Sequence, residues 1–203
     1  MMDIGVYGGT FDPIHKGHAR LLELAKTLGG LDKVIVMPDR IPPHKQRDDM
    51  ASPEDRLEMC RLTFSKQNDI EVSDYEIRQE GKSYSVLTLR HLKKLYPEDR
   101  LWFIMGSDML TSFTQWYCYE EILTLAGLIC LTRYSGDSEE LEAAAEELRA
   151  KGGEIKILPA EAFEVSSSQL RKFIAQGDDC KEYLDSRVRK YINSKGLYRK
   201  REG

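Results

Sequence analysis

Apolar positions along this chain fall into two rhythms, and the rhythms alternate. Near-continuous apolar runs at 4–7, 34–37, 101–105 and 128–131 read as buried strands, and 155–158, interrupted by Lys156, is the last strand candidate. A further run at 70–77 is half polar and reads as a more exposed strand. Between the strands the spacing turns helical. Leu21, Leu22, Ala25 and Leu28 share one face of a helix over 18–28 that stops at Gly29-Gly30. Ser52-Pro53 is a cap followed by a first-turn proline, and Leu57, Cys60, Leu62 and Phe64 continue that helix. Val86, Leu89, Leu92 and Leu95 mark a helix ending before Pro97, and 139–150 is a helix rich in Ala, Leu and Glu. Helices at about 168–175 and 183–193 follow, with Gly177 and Gly196 as their stops.

Strand–helix alternation with continuously apolar strands predicts an α/β fold: a doubly wound parallel sheet covered on both faces. No repeat, low-complexity tract or linker interrupts it, so the expectation is one domain over 1–203, the helices from about 168 included. The polar stretch 39–51, with Pro42-Pro43, reads as a long loop of the kind that is more often functional than idle. Ligands of open parallel sheets sit beyond the carboxyl ends of the strands. That rule selects 8–18, 38–51, 106–117, 132–136 and 159–171.

Composition narrows the class. Among 203 residues 41% are apolar and 32% charged, which suits a globular chain with a core that needs no staples. Lys plus Arg is 30 and Asp plus Glu 34, a net charge of −4. This balance argues against nucleic acid or an anionic membrane as partner, while leaving room for a local anion pocket. No apolar run approaches the ~20 residues of a membrane span, and the start of the chain does not read as a signal peptide. Cys60, Cys118, Cys130 and Cys180 form no metal or redox pair and suit a reducing cytoplasm. Self-association stays open.

The chemistry concentrates in two places. Gly8-Gly9-Thr10-Phe11-Asp12-Pro13-Ile14-His15-Lys16-Gly17-His18 joins the first strand to the first helix. Gly8 and Gly9 let backbone approach a ligand, and the helix start offers amides to an anion. His15 and His18, three apart, can project to one side and donate to charge developing on phosphoryl oxygens. The glycine spacing fits neither a dinucleotide fingerprint nor a Walker loop. Further on, Val165-Ser166-Ser167-Ser168-Gln169-Leu170-Arg171 places serines and an arginine at another helix start. Taken alone it is ordinary capping; beside the histidines it suits phosphate.

The first run resembles the signature of the nucleotidylyltransferase superfamily, with its Rossmann-like fold. The similar His-x-Gly-His of class I aminoacyl-tRNA synthetases is a rival, but this acidic chain has no room for a tRNA-binding module. The resemblance implies in-line attack on the α-phosphate of a nucleoside triphosphate, with pyrophosphate leaving. It implies His15, His18 and Arg171 as catalytic, and Gly8, Gly9, Thr10, Phe11, Ser167 and Ser168 as further ATP contacts. Ser167, Ser168 and Arg171 would hold the β- and γ-phosphates. Mg²⁺ would arrive with ATP, without dedicated protein ligands.

Nearly the whole length is similar to the bacterial nicotinate-nucleotide adenylyltransferase family. The pieces are Ile41-Pro42-Pro43-His44-Lys45, Arg56, Ser83-Tyr84-Ser85, the run 103–109, Trp116-Tyr117 and Lys195-Gly196-Leu197-Tyr198. The implied substrates are ATP and nicotinic acid mononucleotide, and the implied product is deamido-NAD. Trp116 offers a flat face, and by resemblance stacks on the pyridine ring; Ser85 and the Tyr117 amide would hold its carboxylate. Asp108 would meet a ribose, with Lys45 and Arg133 adding positive charge. Lys16, Ser85 and Leu87 stand where the family commonly has Asn, Thr and Asp. Adenylylation of the amide mononucleotide, another superfamily acceptor, and an inactive nucleotide-binding module remain alternatives.

Overall fold

The computed structural model describes residues 1–41, 50–132, 138–160 and 165–199. In chain order its elements are β1 (Asp3–Gly9), α1 (Lys16–Gly29), β2 (Lys33–Pro38), α2 (Pro53–Phe64), β3 (Ile70–Val72), α3 (Tyr75–Arg78) and α4 (Ser85–Leu95). There follow β4 (Arg100–Gly106), α5 (Ser107–Thr111), a 3₁₀ turn (Phe113–Gln115), α6 (Tyr119–Leu125), β5 (Gly127–Thr132), α7 (Ser138–Ala150), β6 (Ile155–Pro159), α8 (Ser167–Gln176) and α9 (Ser186–Lys195).

All strand pairings are parallel, in the order β3-β2-β1-β4-β5-β6. The chain builds outward from β1 to β3, then crosses to β4 and builds the other way. The order therefore reverses between β1 and β4, the place where doubly wound sheets open a ligand crevice.

Strand side chains alternate between the two faces, and the two cores follow. Val34, Val36, Trp102, Ile104, Ile129 and Leu131 pack under Leu22 of α1, Met59 of α2, Leu170 of α8 and Val188 of α9. Ile35, Met37, Phe103, Met105, Leu128 and Cys130 pack under Leu89 of α4, Ile122 of α6 and Ala145 of α7. Burial on both faces is why these strands read as continuous apolar runs. Trp102 is fully buried, and its Nε1 donates to Asp3 Oδ1 at 2.7 Å.

Ser52 caps α2 by accepting from the Asp55 N–H at 3.0 Å, and Gly177 and Gly196 end α8 and α9 in left-handed conformation. Several expectations need correction. The strand expected over 70–77 stops at Val72. As an edge strand it pairs only with residues 34–36, and the Ser73 hydroxyl then accepts from the Tyr75 N–H at 3.2 Å, turning the chain into α3. The last helix begins at Ser186, not 183, because Asp185 caps it by accepting from the Arg187 N–H at 2.8 Å. Leu28 and Leu95, expected on buried faces, lie at helix ends and are exposed. The region 106–117, for which no helix was expected, carries α5 and the 3₁₀ turn, each too short to show a periodicity.

Among the described residues no helix is long and apolar enough to cross a membrane. Cys60, Cys118, Cys130 and Cys180 are free thiols.

Candidate active site

β1 runs out at Gly9, and the chain reaches α1 through a tightly tied turn. Phe11 adopts φ 50°, a left-handed conformation uncommon outside glycine. Its ring lies edge-on to Tyr7 at 5.5 Å and to His18 at 5.3 Å. That ring occupies the space beside Gly9, where a Cβ would come within 2.8 Å of it. The glycine is thus required by the chain's own fold, whereas at Gly8 a Cβ would make only ordinary contact with Phe103. His15 is the N-cap of α1 and His18 its third residue, and the two rings lie 3.8 Å apart between centroids. The His15 N–H donates to His18 Nδ1 at 3.3 Å. A neutral His18 accepting at Nδ1 carries its proton on Nε2 and is a donor there.

The serine–arginine run meets the histidine run beyond the carboxyl end of β1. Ser166 is the cap of α8: its Oγ accepts from the Gln169 N–H at 3.2 Å and its own N–H donates to Gln169 Oε1 at 2.8 Å. Ser167 Oγ donates to the Pro13 carbonyl at 3.0 Å. Arg171 is buried, donating from Nη1 to the Asp12 carbonyl at 2.6 Å and from Nη2 to Ser168 Oγ at 2.9 Å. Asp12 Oδ1 accepts from the Ala51 N–H at 3.1 Å and from the Tyr198 hydroxyl at 2.7 Å. Burial and the adjacent Asp12 carboxylate push the Tyr198 hydroxyl up, so it stays a donor. The sequence placed Tyr198 and Asp12 inside recognisable runs without giving either a task; their task is to fasten the end of the chain to the turn that carries His15.

A cleft of about 400 Å³ opens beside Gly8, Gly9 and Thr10, at the crevice between β1 and β4. Its other walls are Ser83, Tyr84, Ser85 and Thr88 from the start of α4, and Gln115, Trp116 and Tyr117 beyond the 3₁₀ turn. Trp116 is half-buried, held by Phe103 at 5.8 Å and Phe113 at 5.2 Å, and lines the cleft. Tyr117 is exposed and leans on Tyr84 at 4.9 Å. Asp108 is exposed in the first turn of α5, and it does not line this cleft. Lys45 and Arg133 lie outside the described residues. Lys16, between the histidines, donates from Nζ to the Lys181 carbonyl at 2.9 Å.

Further buried charged groups of this region carried no assigned role in the sequence reading. Arg56, a piece of the family resemblance, is fully buried and donates to the carbonyls of Thr10 at 2.7 Å, Arg40 at 3.1 Å and Ala51 at 3.3 Å. Its Nη1 also meets Asp39 Oδ1 at 2.9 Å, and Asp39 Oδ2 accepts from the Thr10 hydroxyl at 2.8 Å. Glu76, hidden in what looked like an exposed strand, is buried and lines the cleft. Thr88 Oγ1 lies 2.5 Å from its Oε1. Burial pushes its carboxyl up to about 7, against the pull of hydrogen bonds from Thr88 and Ser83. Among the described residues no three His, Cys, Asp or Glu side chains gather as they would around a metal ion.

Comparison with known proteins gives the family of the chain. The family model for cytidylyltransferase-like proteins matches residues 6–173. A probable nicotinate-nucleotide adenylyltransferase of Caldicellulosiruptor saccharolyticus is 34% identical over 98% of this chain and 100% of its own. One of Desulfitobacterium hafniense is 37% identical over 97% of this chain and 95% of its own. The chain belongs to this family. It is an adenylyltransferase of the nicotinate-nucleotide group within the cytidylyltransferase-like proteins. The fold agrees as well: the nicotinic acid mononucleotide adenylyltransferase of Plasmodium falciparum, solved with NaAD, superimposes with a TM-score of 0.79 over 98% of both chains, at 22% identity.

Proposed function

We propose that this adenylyltransferase joins ATP and nicotinic acid mononucleotide to give deamido-NAD and pyrophosphate, a step of NAD biosynthesis. One observation carries the reading: a cleft with an aromatic wall and hydroxyls lies against the same turn that bears the paired histidines. A phosphate oxygen of the mononucleotide attacks the α-phosphorus of ATP. The new P–O bond forms as the bond to the bridging oxygen breaks, and pyrophosphate takes the electron pair. The attacking phosphate is already ionised, so no strong base is needed. Rate then comes from alignment and from donors placed where charge grows.

His18 Nε2–H and His15 are assigned to the α-phosphate, beside the amides at Gly8, Gly9, Thr10 and Phe11. Ser167, Ser168 and Arg171 take the β- and γ-phosphates, with Mg²⁺ carried in by ATP through phosphates and water. Trp116 stacks on the pyridine ring while Ser85 and the Tyr117 amide hold its carboxylate. Asp108, Lys45 and Arg133 keep their assignment to ribose and phosphate on resemblance to the family.

The test is product identification by mass after incubation with ATP, Mg²⁺ and either nicotinic acid mononucleotide or nicotinamide mononucleotide. Deamido-NAD well ahead of NAD supports the reading. NAD ahead of deamido-NAD would reassign the acceptor, and no dinucleotide from folded protein would overturn the reaction.

A further inference from the structure

The acceptor cleft contains a carboxyl group that neither the transfer step nor the stacking of the ring uses. Glu76 comes from α3, the single turn that follows the edge strand β3, and its side chain is buried in the wall that also presents Ser85 and Tyr117. Thr88 on α4 lies within hydrogen-bond distance of its Oε1, and Ser83 holds it as well, so the carboxyl is fixed in place rather than free to swing out. Among the described residues no cation lines the cleft: the other titratable groups there are Asp39 just past β2, Tyr84 and Tyr117. Asp39 adds negative field. On the outer side of α3, Glu80, Lys82, Arg90, His91 and Lys94 border a second depression that Glu76 also lines. From α2, Arg61 is engaged with Asp74, which also pairs with Arg78.

A fixed carboxyl in a pocket for a substrate carboxylate has two opposite effects. Ionised, it repels the substrate's charge; protonated, it is neutral and has an O–H to donate. We propose, on the reading of the function given above, that Glu76 is a specificity-determining residue: its carboxyl, fixed by Thr88 and Ser83, admits the acid mononucleotide when neutral and shifts preference toward the amide mononucleotide when ionised. Burial raises the carboxyl enough that both its neutral and its ionised forms are populated near neutrality. Bound nicotinate raises the proton affinity of Glu76 further, and bound nicotinamide does so less. The relative affinity for the acid therefore falls as pH rises through the Glu76 titration and levels off above it.

The experiment places both acceptors at equal concentration in one tube with limiting ATP, Mg²⁺ and the full-length protein, at pH 6 to 9. The ratio of deamido-NAD to NAD formed reports the ratio of kcat/KM values directly. Titration of ATP, of the phosphates and of the histidines acts on both acceptors alike and cancels, as does the pyridinium charge common to both. The substrate carboxylate is ionised throughout this range. We expect the ratio to fall roughly tenfold across the range, the change given by a one-unit difference in Glu76 pKa between the two complexes. Glu76→Gln should hold the ratio near its low-pH value at every pH. Thr88→Val, which removes a hydrogen bond that favours the ionised form, should move the inflection to higher pH and serves where Glu76→Gln does not fold. A flat ratio in the wild type, a slope retained in Glu76→Gln, or an inflection unmoved in Thr88→Val overturns the proposal while leaving the function intact. No dinucleotide from either acceptor overturns both.

Discussion

At one end of the site, His15, His18, Ser167, Ser168 and Arg171 come from two short runs of sequence, each opening a helix. They are bound to one another through backbone: Ser167 to the Pro13 carbonyl, Arg171 to the Asp12 carbonyl, His15 N–H to His18. At the other end, Glu76, Ser85, Trp116 and Tyr117 come from α3, α4 and the segment after the 3₁₀ turn, and they meet through side chains and rings. The contrast follows from what each end is assigned to hold. A phosphate is met by amides, caps and a dipole, all of which a strand-to-helix turn supplies locally. A flat ring with one substituent needs a face, an edge and a matched polar group, and no single element offers all of them.

The joint between the two ends is the place to break the comparison hardest. Arg56 is fully buried and holds Thr10 on the phosphate side, Arg40 on the loop side and the Asp39 carboxylate between them. Removing one member of a buried ion pair leaves the other uncompensated. Arg56→Met should therefore lower stability by about 3–5 kcal/mol, read from the urea unfolding midpoint. A loss below about 1 kcal/mol would mean that the two ends stand independently.

At the phosphate end, His18→Ala should leave the fold intact and lower kcat by about 10²–10³, the scale for one donor to developing phosphoryl charge. Steady-state rates in a variant with unchanged unfolding settle it, and near-wild-type turnover would take His18 out of the mechanism. Tyr198→Phe should have a smaller effect of a different kind. It removes a hydrogen bond to the Asp12 carboxylate, so stability should fall by about 1.5–3 kcal/mol. If Tyr198 steadies the turn that carries His15, kcat falls with it while the acceptor KM does not move. Lost stability with unchanged kcat would make the chain end a structural tie alone.

How much of this could be read beforehand differs between the ends for the same physical reason. The histidine run and the serine–arginine run are linear and sit at helix starts that capping rules find, so both phosphate-type groups were visible as residues in order. The central strands were equally visible, because burial on both faces writes itself as near-continuous apolar runs. What stayed hidden was made by tertiary contact. Glu76 looked like a residue of an exposed strand, because Ser73 turns the chain only by a side-chain bond to the Tyr75 amide. Arg56 has no local signal at all; it lies in a polar-looking stretch of α2, and its partners are as distant in sequence as Thr10. The short α5 and the 3₁₀ turn fall below the length at which a helical period can be recognised.

The smallest expected effect is the one that sharpens the comparison most. Trp116 is braced by Phe103 and Phe113 where it lines the cleft, so its ring is held in place there. A pre-positioned ring gives stacking at little cost in side-chain freedom. Trp116→Ala removes one aromatic contact worth about 0.5–1.5 kcal/mol beyond its burial. The acceptor KM should then rise by about three- to tenfold, while the KM for ATP stays near its wild-type value. The separation matters more than the size. The two ends share Gly8, Gly9 and Thr10 but little else, so a ring lost from one wall should be felt only by the substrate resting on it. An equal rise in both KM values would mean that the cleft collapses as a unit. A rise in the ATP KM alone would put the adenine, not the pyridine, against Trp116 and exchange the assignments of the two ends.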